Sequence, residues 1–300
     1  MNEAIGFLKP PLFTYSSTVR PTSPTITIAH FPHLLRKALE RPQKSVPSHA
    51  CILDSGYVNI YTGLAIDEAT ASLVGDCKAP NTVRFAQIKP PAVTVGYFQS
   101  VDQEVDIELC QRLGIDIARR LVAGGAVYED YRSEITYSVC LKIPDSRIPL
   151  DIQKSYEFLS RGIVFGLRKL GIDVKFAPVN DLIVDGKKIG GMGQSRIQNA
   201  ILQEGSVLLE DVENMFEVLK IPQEKIEDKK ISSVRERITT LHRECGREVS
   251  VEELKRALIK GFEEAFGIKL IKGEMTNLEW NLAKKLLQER YATKEWIFKR

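Results

Sequence analysis

Short runs of alternating or continuous apolar residues follow one another from about residue 50, and stretches with helical spacing lie between them. Apolar residues three and four positions apart predict helices in GLAIDEATASLVGD, in SVDQEVDIELCQRLG from an Asp102 cap to Gly114, and from Asp151 to Leu170. The runs that predict strands are ACILDSGYV, TVRFAQI, AVTVGYF, IDIARRL, GAVYED, EITYSVCLKI, NDLIVDGKKIGG and NAILQEGSVLLE. This order predicts an α/β (α+β) fold, a mixed β-sheet with flanking helices.

After Asp211 the pattern changes, and the chain is predicted to be mostly helical and charged through Arg300. No internal repeat interrupts the order of elements. We therefore expect one domain over residues 48–300, with a helical C-terminal third.

The first 50 residues differ in composition from the rest. They hold 7 of the 14 prolines and six Lys or Arg against two Glu, which gives +4 and leaves −1 for the other 250 residues. We predict a poorly ordered extension at 1–47. Its basic, Ser/Thr-rich character leaves two interpretations open, an organelle transit peptide or an unstructured tail.

Charge and cysteine content exclude several classes of function. A net charge of +3 is too small to indicate nucleic-acid binding, and no apolar run is long enough for a membrane span. The five cysteines are scattered without a CxxC pair, which argues against a zinc site and favours a reducing compartment such as the cytoplasm. His242, the sole histidine after residue 50, is interpreted as a solvated helix residue.

The hairpin NDLIVDGKKIGG carries the first candidate chemistry. Asp185-Gly186 predicts a two-residue type I′ turn. Regular pairing from that turn sets Ile183 opposite Lys188 and Asp181 opposite Gly190, so that a carboxylate and an ammonium flank a gap without side chains. The alternative interpretation is a cross-strand salt bridge on an exposed hairpin.

The second candidate is RRLVAGGAVYED at residues 119–130. Gly124 and Gly125 would let backbone amides approach an anion, and the guanidinium of Arg120 matches phosphate or carboxylate. A plain tight turn is the alternative interpretation of the glycine pair.

These motifs and their order point to one family. RRLVAGGAVYED matches R-R-x-S/T-G-G-G/R-A-V-x-H-D, NDLIV at 180–184 matches N-D-L-x-V, Lys188 takes the position of the catalytic lysine, and EGSVL at 204–208 matches H-G-S/T-I/V/L-L. Shorter matches are LDSG (53–56), AIDEA (65–69), VGYFQ (95–99), TYSV (136–139) and YATKEWIFKR (291–300). From about Ile52 to Arg300 the chain resembles the lipoate–protein ligase A and lipoyl/octanoyl-transferase family.

The chain departs from the family pattern around the predicted pocket. Val122 and Ala123 replace the usual Ser or Thr and the first Gly. Glu129 and Glu204 stand where the family has histidines, and residues 190–193 read Gly-Gly-Met-Gly where Ser-Gly-Ser-Ala is common. These changes leave the identity of the acyl group open.

The resemblance implies a class II synthetase or biotin-ligase-like catalytic domain that activates lipoate or octanoate with ATP and Mg²⁺. It implies that Lys188 is the catalytic residue, that Asp181 binds the metal, and that Gly96 and Gln99 line the acyl pocket. The residues expected to bind ligand or nucleotide are Arg120, Gly124, Gly125, Ala126, Asn180, Asp181, Gly190, Gly205 and Ser206. The implied acceptor is a lysine of a lipoyl carrier domain, from a 2-oxoacid dehydrogenase E2 or a glycine-cleavage H-type protein.

We expect a ligase catalytic subunit, for which a separate accessory subunit is an open alternative. The competing interpretation is an octanoyl- or lipoyl-transferase that moves the acyl group between carrier proteins without ATP. Those transferases carry a cysteine nucleophile in an insertion before the hairpin, where this chain has only KFAPVND. Biotin ligation and a non-catalytic acyl- or carrier-binding protein are further alternatives.

Overall fold

The computed structural model describes residues 48–145, 147–211, 215–220 and 236–300. The extension predicted at 1–47 lies outside these residues. All the described residues belong to the structural unit Val46–Arg300. No helix among them combines the length and the apolar character needed to cross a membrane.

Eleven strands are present in the described residues. In chain order they are β1 (His49–Val58), β2 (Thr82–Ile88), β3 (Ala92–Val95), β4 (Asp116–Arg119), β5 (Val127–Glu129), β6 (Glu134–Lys142), β7 (Lys175–Ala177), β8 (Asp181–Val184), β9 (Lys187–Ile197), β10 (Ala200–Leu208) and β11 (Lys269–Lys272). The helices are α1 (Ile60–Gly75), α2 (Val101–Glu104), α3 (Ile107–Leu113), α4 (Ile152–Arg168), α5 (Met215–Val218), α6 (Leu241–Cys245), α7 (Val251–Phe266), α8 (Asn277–Leu286) and α9 (Lys294–Ile297), with a π-helical turn at Leu287–Tyr291.

Eight strands form a mixed sheet in the order β11-β1-β2-β6-β10-β9-β8-β7. β1 pairs in parallel with β2 and β11, and the remaining pairs are antiparallel. A second sheet has the order β4-β3-β5. The predicted fold class, mixed α/β with flanking helices, is confirmed.

Helices α4 and α7 pack together over one face of the large sheet. Both are amphipathic, and their apolar sides enter the main hydrophobic core, for which Leu159, Ile163 and Phe262 are representative. Gly162 and Gly261 allow the close approach, because a β-carbon on Gly162 would overlap the Phe262 ring and one on Gly261 would overlap the α4 backbone. Burial of these two helix faces covers the side of the sheet opposite the cavity described below.

Helix α1 is buried on nearly all sides. It begins at the Asn59 cap, whose side chain accepts a hydrogen bond from the Thr62 amide, and α8 packs on it through a small core formed by Ile66, Ala69 and Ala283. A helix enclosed in this way cannot keep a polar face in solvent. Its Asp67 therefore points into the protein interior, where it is 5% exposed.

Two predicted elements differ from the observed ones. The helix predicted from an Asp102 cap to Gly114 is two helices, because the backbone is extended at Val105 and Asp106, and Asp106 caps the second one. The C-terminal third is not wholly helical, since β11 returns to the edge of the sheet beside β1. Its KLIK sequence is too short for the apolar period to distinguish a strand from the adjoining helices.

Candidate active site

A cavity of about 250 Å³ lies between α1, the large sheet and the loop that joins β4 to β5. Apolar side chains including Ile60, Leu64 and Ile88 line it. Of the residues predicted from the sequence, those that border it are Arg120, Gly124, Gly125, Ala126, Asn180, Lys188, Gly190, Gly205 and Ser206. The structure therefore brings most of the predicted binding residues to one cavity.

The hairpin keeps its predicted turn but not its predicted register. Asp185 and Gly186 both have positive φ, 46° and 78°, as a type I′ turn requires. Ile183 pairs with Lys188, but Leu182 then pairs with Gly190, so Ile189 is one extra residue on β9. This β-bulge lets the Ile189 side chain enter the core while Lys188 borders the cavity.

The bulge moves the predicted gap by one residue. Asp181 pairs with Gly191, not with Gly190 as predicted. A β-carbon on Gly191 would lie 3.0 Å from the Lys188 ammonium and 3.5 Å from the Asp181 carboxylate. A β-carbon on Gly190 would instead overlap the Ser206 carbonyl. Gly191 is therefore the residue that leaves room beside the charged pair, and Gly190 is required for strand packing.

Lys188 and Asp181 form an ion pair of 2.7 Å, with side chains 44% and 38% exposed. The backbone of Lys188 is fixed by two hydrogen bonds, from its amide to the Arg237 carbonyl and from the Thr239 amide to its carbonyl. Residues 237–239 thus continue the sheet beyond the end of β10, and Ile238 borders the cavity. Ile238 was missed in the sequence because no local pattern places it beside Lys188.

Arg120 and the glycine pair form the opposite wall. The buried guanidinium of Arg120 donates to the Gly125 carbonyl at 2.7 Å and to the Thr94 hydroxyl at 2.5 Å. It thereby holds the β4–β5 loop against the small sheet. Val122 and Ala123 pack on Gly193 of β9, where a β-carbon would meet both of them.

Gly96 and Gln99 do not border the cavity, which corrects the prediction that they line an acyl pocket. Gly96 packs directly on Gly124, and its amide donates to the Gln99 side chain at 2.9 Å. The fully buried Arg119 donates to the carbonyls of both residues, at 3.0 and 2.6 Å, and to those of Trp296 and Ile297. These residues support the loop from behind and connect it to the C-terminus.

Three buried acids also line the cavity. Glu129, Glu134 and Glu204, here called the acidic end, are 7%, 2% and 9% exposed and all border the cavity. Glu129 accepts a hydrogen bond from Thr94 at 2.5 Å. Glu129 and Glu204 were noted in the sequence as replacements of family histidines, whereas Glu134 was missed.

Two further charged residues complete this end of the cavity. Asp67 on α1 forms a buried ion pair with Arg84 on β2, at 2.5 Å, and also accepts from the Ser138 hydroxyl. Both residues border the cavity. The sequence does contain a signal for this pair, because each residue is a charged position inside an otherwise apolar helix or strand. Charged residues at such positions are rarely buried unless they are paired.

Burial changes the protonation of the acidic end. It is the main factor that raises the pKa of Glu204 to about 8, with repulsion from Asp67 adding to it and the charge of Arg120 opposing it. Burial and then repulsion from Glu129 raise the pKa of Glu134 well above its usual range. Burial therefore favours the neutral form of both carboxyl groups.

None of the chain's five cysteines, all of which lie among the described residues, borders the cavity. Cys140 is buried under α1, and burial raises the pKa of its thiol well above the usual range. Cys140 is thus an inert thiol of the protein core. Cys77 is exposed, at the end of α1.

The residues around Asp181 do not fit a divalent metal ion. The Asp181 carboxylate is paired with Lys188, and within the described ranges no group of three His, Cys, Asp or Glu side chains could hold a metal. Mg²⁺ requires several oxygen ligands in octahedral geometry. Asn180 is also engaged, because its side-chain amide donates to the Met192 carbonyl at 2.5 Å. Metal binding by Asp181 stays a prediction from the resemblance.

The family profile described as the lipoyl protein ligase A/B catalytic domain matches residues 59–263. The chain belongs to this family and is an enzyme of it. Among curated proteins it is similar to octanoyltransferase LipM of Geobacillus kaustophilus, 33% identical over 272 residues that cover 83% of this chain and 97% of that protein. LipM of Bacillus subtilis is 28% identical over the same shares of the two chains.

Solved structures agree with this assignment. One is a bi-partite lipoate protein ligase from Thermoplasma acidophilum, described with its E2 lipoyl domain, which is 30% identical with a TM-score of 0.73 and coverage of 83% of this chain and 96% of that one. Another is a lipoate-protein ligase A bound with ATP, 29% identical with a TM-score of 0.71, covering 83% and 98%. The family thus includes ATP-binding ligases.

The expectation of an adenylating ligase is wrong. Curated relatives that align over nearly their whole length are octanoyltransferases. This finding favours the competing interpretation, an acyl-transferase that works without ATP. The error arose because the missing cysteine near the hairpin was taken as evidence against a transferase. Sequence similarity over the full domain outweighs that single position.

Proposed function

We propose that this chain transfers an octanoyl- or lipoyl-type acyl group from a thioester donor to a lysine of a lipoyl carrier domain, without ATP. The observation that carries this proposal is the Lys188 ammonium, which borders the cavity beside the bare backbone of Gly191. The octanoyltransferase relatives support the reaction, and the Thermoplasma structure with its E2 lipoyl domain supports the acceptor. An E2-type or H-type carrier is therefore the proposed partner.

In the proposed step, the acceptor lysine attacks the thioester carbonyl as a neutral amine. The C–N bond forms, the C–S bond breaks, and the proton lost by the amine leaves with the thiolate as a thiol. Negative charge develops on the carbonyl oxygen in the transition state. The Lys188 ammonium is placed to stabilise that charge, which is the role of a preorganised cation in acyl transfer.

Asp181 acts as a positioning residue in this scheme. Its ion pair of 2.7 Å holds the flexible Lys188 side chain over Gly191. Arg120 keeps the Gly124–Gly125 wall in place through its hydrogen bonds to Gly125 and Thr94. The metal and nucleotide roles implied by the resemblance have no part in this reaction.

The cysteine positions favour direct transfer, in a single displacement from donor to acceptor. A covalent acyl-enzyme would require a reactive thiol at the cavity, and the five cysteines lie elsewhere. Donor and acceptor would then bind together, so initial rates should give intersecting and not parallel double-reciprocal lines.

The test is to incubate the purified chain with octanoyl-pantetheine and a lipoyl domain, without ATP, and to analyse the domain by mass spectrometry. We expect one octanoyl amide on the carrier lysine and none on a domain in which that lysine is replaced by Arg. Modification that occurs only with free octanoate plus ATP and Mg²⁺ would overturn the proposal.

A further inference from the structure

Three cations meet beside the end of helix α9 without an acid between them. Arg119 of β4, together with Lys299 and Arg300 after α9, is here called the basic corner, and none of the three borders the cavity. Within the part of the chain that the structure describes, none of them forms an ion pair, whereas the neighbouring Arg290 is paired with Glu68. Like charges held together in this way repel one another unless an anion lies among them.

This repulsion changes the protonation of the basic corner. Burial and then the charge of Arg300 lower the pKa of Arg119. Burial also lowers the pKa of Lys299 to about 8, and the charges of Arg119 and Arg300 are next in importance. The three positive charges are therefore close enough to act on one another, and a bound anion would relieve the cost of holding them together.

The guanidinium of Arg119 keeps one donor group unused. Its Nε and Nη1 atoms donate to backbone carbonyls in residues 96–99 and 296–297. Its Nη2 atom is buried without a hydrogen-bond partner among the described residues, and the residue is 0% exposed. Unpartnered buried donors are rare in native proteins and call for an explanation such as a bound ion. Because a guanidinium nitrogen can only donate, the missing partner is an acceptor.

Aromatic rings hold the other two cations in place. The Lys299 ammonium lies 3.2 Å from the centre of the Tyr97 ring and 3.9 Å from that of the Trp296 ring. The guanidinium carbon of Arg300 lies 5.4 Å from the centre of the exposed Phe98 ring. Ring faces attract a cation but carry no formal charge, so they position these side chains without neutralising them. Cations positioned in advance lose little freedom when they bind an anion.

We propose that the basic corner binds a phosphate-type oxyanion, either free or carried on an organic molecule. Three cations match the double negative charge of phosphate better than the single charge of a carboxylate, and guanidinium donors fit its oxygens in pairs. The inference goes beyond the proposed acyl transfer, since the site lies outside the cavity. It is joined to the cavity wall, because Arg119 donates to the Gly96 carbonyl at 3.0 Å and Gly96 packs on Gly124. A bound anion therefore also stabilises the glycine loop from behind.

Calorimetric titration with inorganic phosphate at constant ionic strength tests the site. We expect the wild-type chain to bind one phosphate saturably, and Lys299→Gln to bind it about tenfold more weakly, because one charge-assisted hydrogen bond is lost. Lys294→Gln is the matched control. It removes the same charge from an exposed residue of α9 outside the basic corner, and it should bind phosphate like the wild type.

Phenyl phosphate and phenol, titrated in the same way, distinguish the two sources of phosphate. Tighter binding of phenyl phosphate than of inorganic phosphate indicates an organic phosphate ester, and equal or weaker binding indicates the free anion. Phenol should not bind, and both phosphates should lose affinity in Lys299→Gln. Absence of saturable binding of either phosphate to the wild type, or equal affinities of Lys299→Gln and Lys294→Gln, overturns the inference. If Lys299→Gln does not fold by circular dichroism, Arg300→Gln takes its place with the same expectation.

Discussion

The two ends of the cavity carry charged residues in opposite environments. At the open end, the Lys188 and Asp181 side chains are 44% and 38% exposed and form a direct ion pair. At the acidic end, Glu134 and Glu204 are buried, and burial raises the pKa of both carboxyl groups. The same cavity therefore offers a charge where water can reach it and neutral hydrogen-bonding groups where water cannot.

This difference separates two roles that charged residues have in an acyl site. An exposed ion pair contributes little to stability. We therefore assign the Lys188–Asp181 pair the role of holding the Lys188 ammonium where negative charge develops in the proposed reaction. Charge on a buried carboxyl group is costly, so burial favours the neutral form, which can both donate and accept hydrogen bonds. The following predictions test each end separately.

The largest effect is expected at the open end. Lys188→Ala should lower the rate of acyl transfer by about 10²–10³, because a preorganised cation is lost from the reacting carbonyl. Steady-state kinetics with octanoyl-pantetheine and a lipoyl domain would measure it. Lys187→Ala, an exposed neighbour on the same strand, is the matched control and should keep near-normal rates. Near-normal turnover of a folded Lys188→Ala protein would contradict the role of Lys188.

The bulge in β9 can be tested with two adjacent glycines. Gly191→Val should lower transfer by about tenfold or more with the fold intact, because its side chain displaces only the flexible end of Lys188. Gly190→Val should instead destabilise the protein by about 1–3 kcal/mol or more, since its β-carbon meets the Ser206 carbonyl. Thermal denaturation and kinetics of both variants would show it. If Gly190→Val lowered transfer in a stable protein and Gly191→Val destabilised the fold, the hairpin would pair without the bulge.

The acidic end should make stability depend on pH. The pKa of Glu204 is raised from 4.5 to about 8 in the folded protein. As pH rises between these values, the unfolded chain releases the proton first, so the free energy of unfolding falls. One such group contributes up to about 1.4 kcal/mol per pH unit in this window. Urea denaturation should therefore show a smaller loss of stability from pH 5 to pH 8 in Glu204→Gln than in the wild type. Identical slopes would show that Glu204 is ionised in the folded protein.

The smallest effect is expected from removing the thiols. A variant with Cys110 and Cys140 changed to Ala, and the other three cysteines to Ser, should transfer octanoyl groups at nearly the wild-type rate. No thiol borders the cavity, and the exposed Cys77 lies at the far end of α1. Trapping an octanoyl thioester on the wild-type chain, together with inactivity of a folded variant, would show that the reaction passes through an acyl-enzyme.

Much of the fold could be predicted because the elements have strong local signals. TVRFAQI is the whole of β2, and the helix predicted from Asp151 is present with its apolar side buried and Asp151 as its cap. β11 was missed because a strand of four residues has no period of its own. The helix near Val105 was divided because Asp106 caps a second helix, which the longer apolar pattern concealed.

The candidate site was predicted less evenly. The order of the motifs identified the family. It also led to the choice of Lys188, Asn180 and Gly125 as site residues, and all three border one cavity. The predicted pairing of Asp181 with Gly190 failed because a bulge cannot be seen in a strand's own sequence. Gly96 and Gln99 were placed in the acyl pocket on the strength of their motif, but Arg119 holds them behind the loop.

The sequence by itself determined the family, the mixed α/β class, the type I′ turn and the lysine beside it, because each depends on residues that are close together or in a fixed order. Only the tertiary structure decided which acids share a buried space. Asp67, Glu134 and Glu204 come from α1, β6 and β10. Burial raises the pKa of Glu134 and of Glu204, with repulsion from Glu129 adding to it at Glu134 and repulsion from Asp67 at Glu204. Those are properties of packed surfaces, which no single segment of the chain contains.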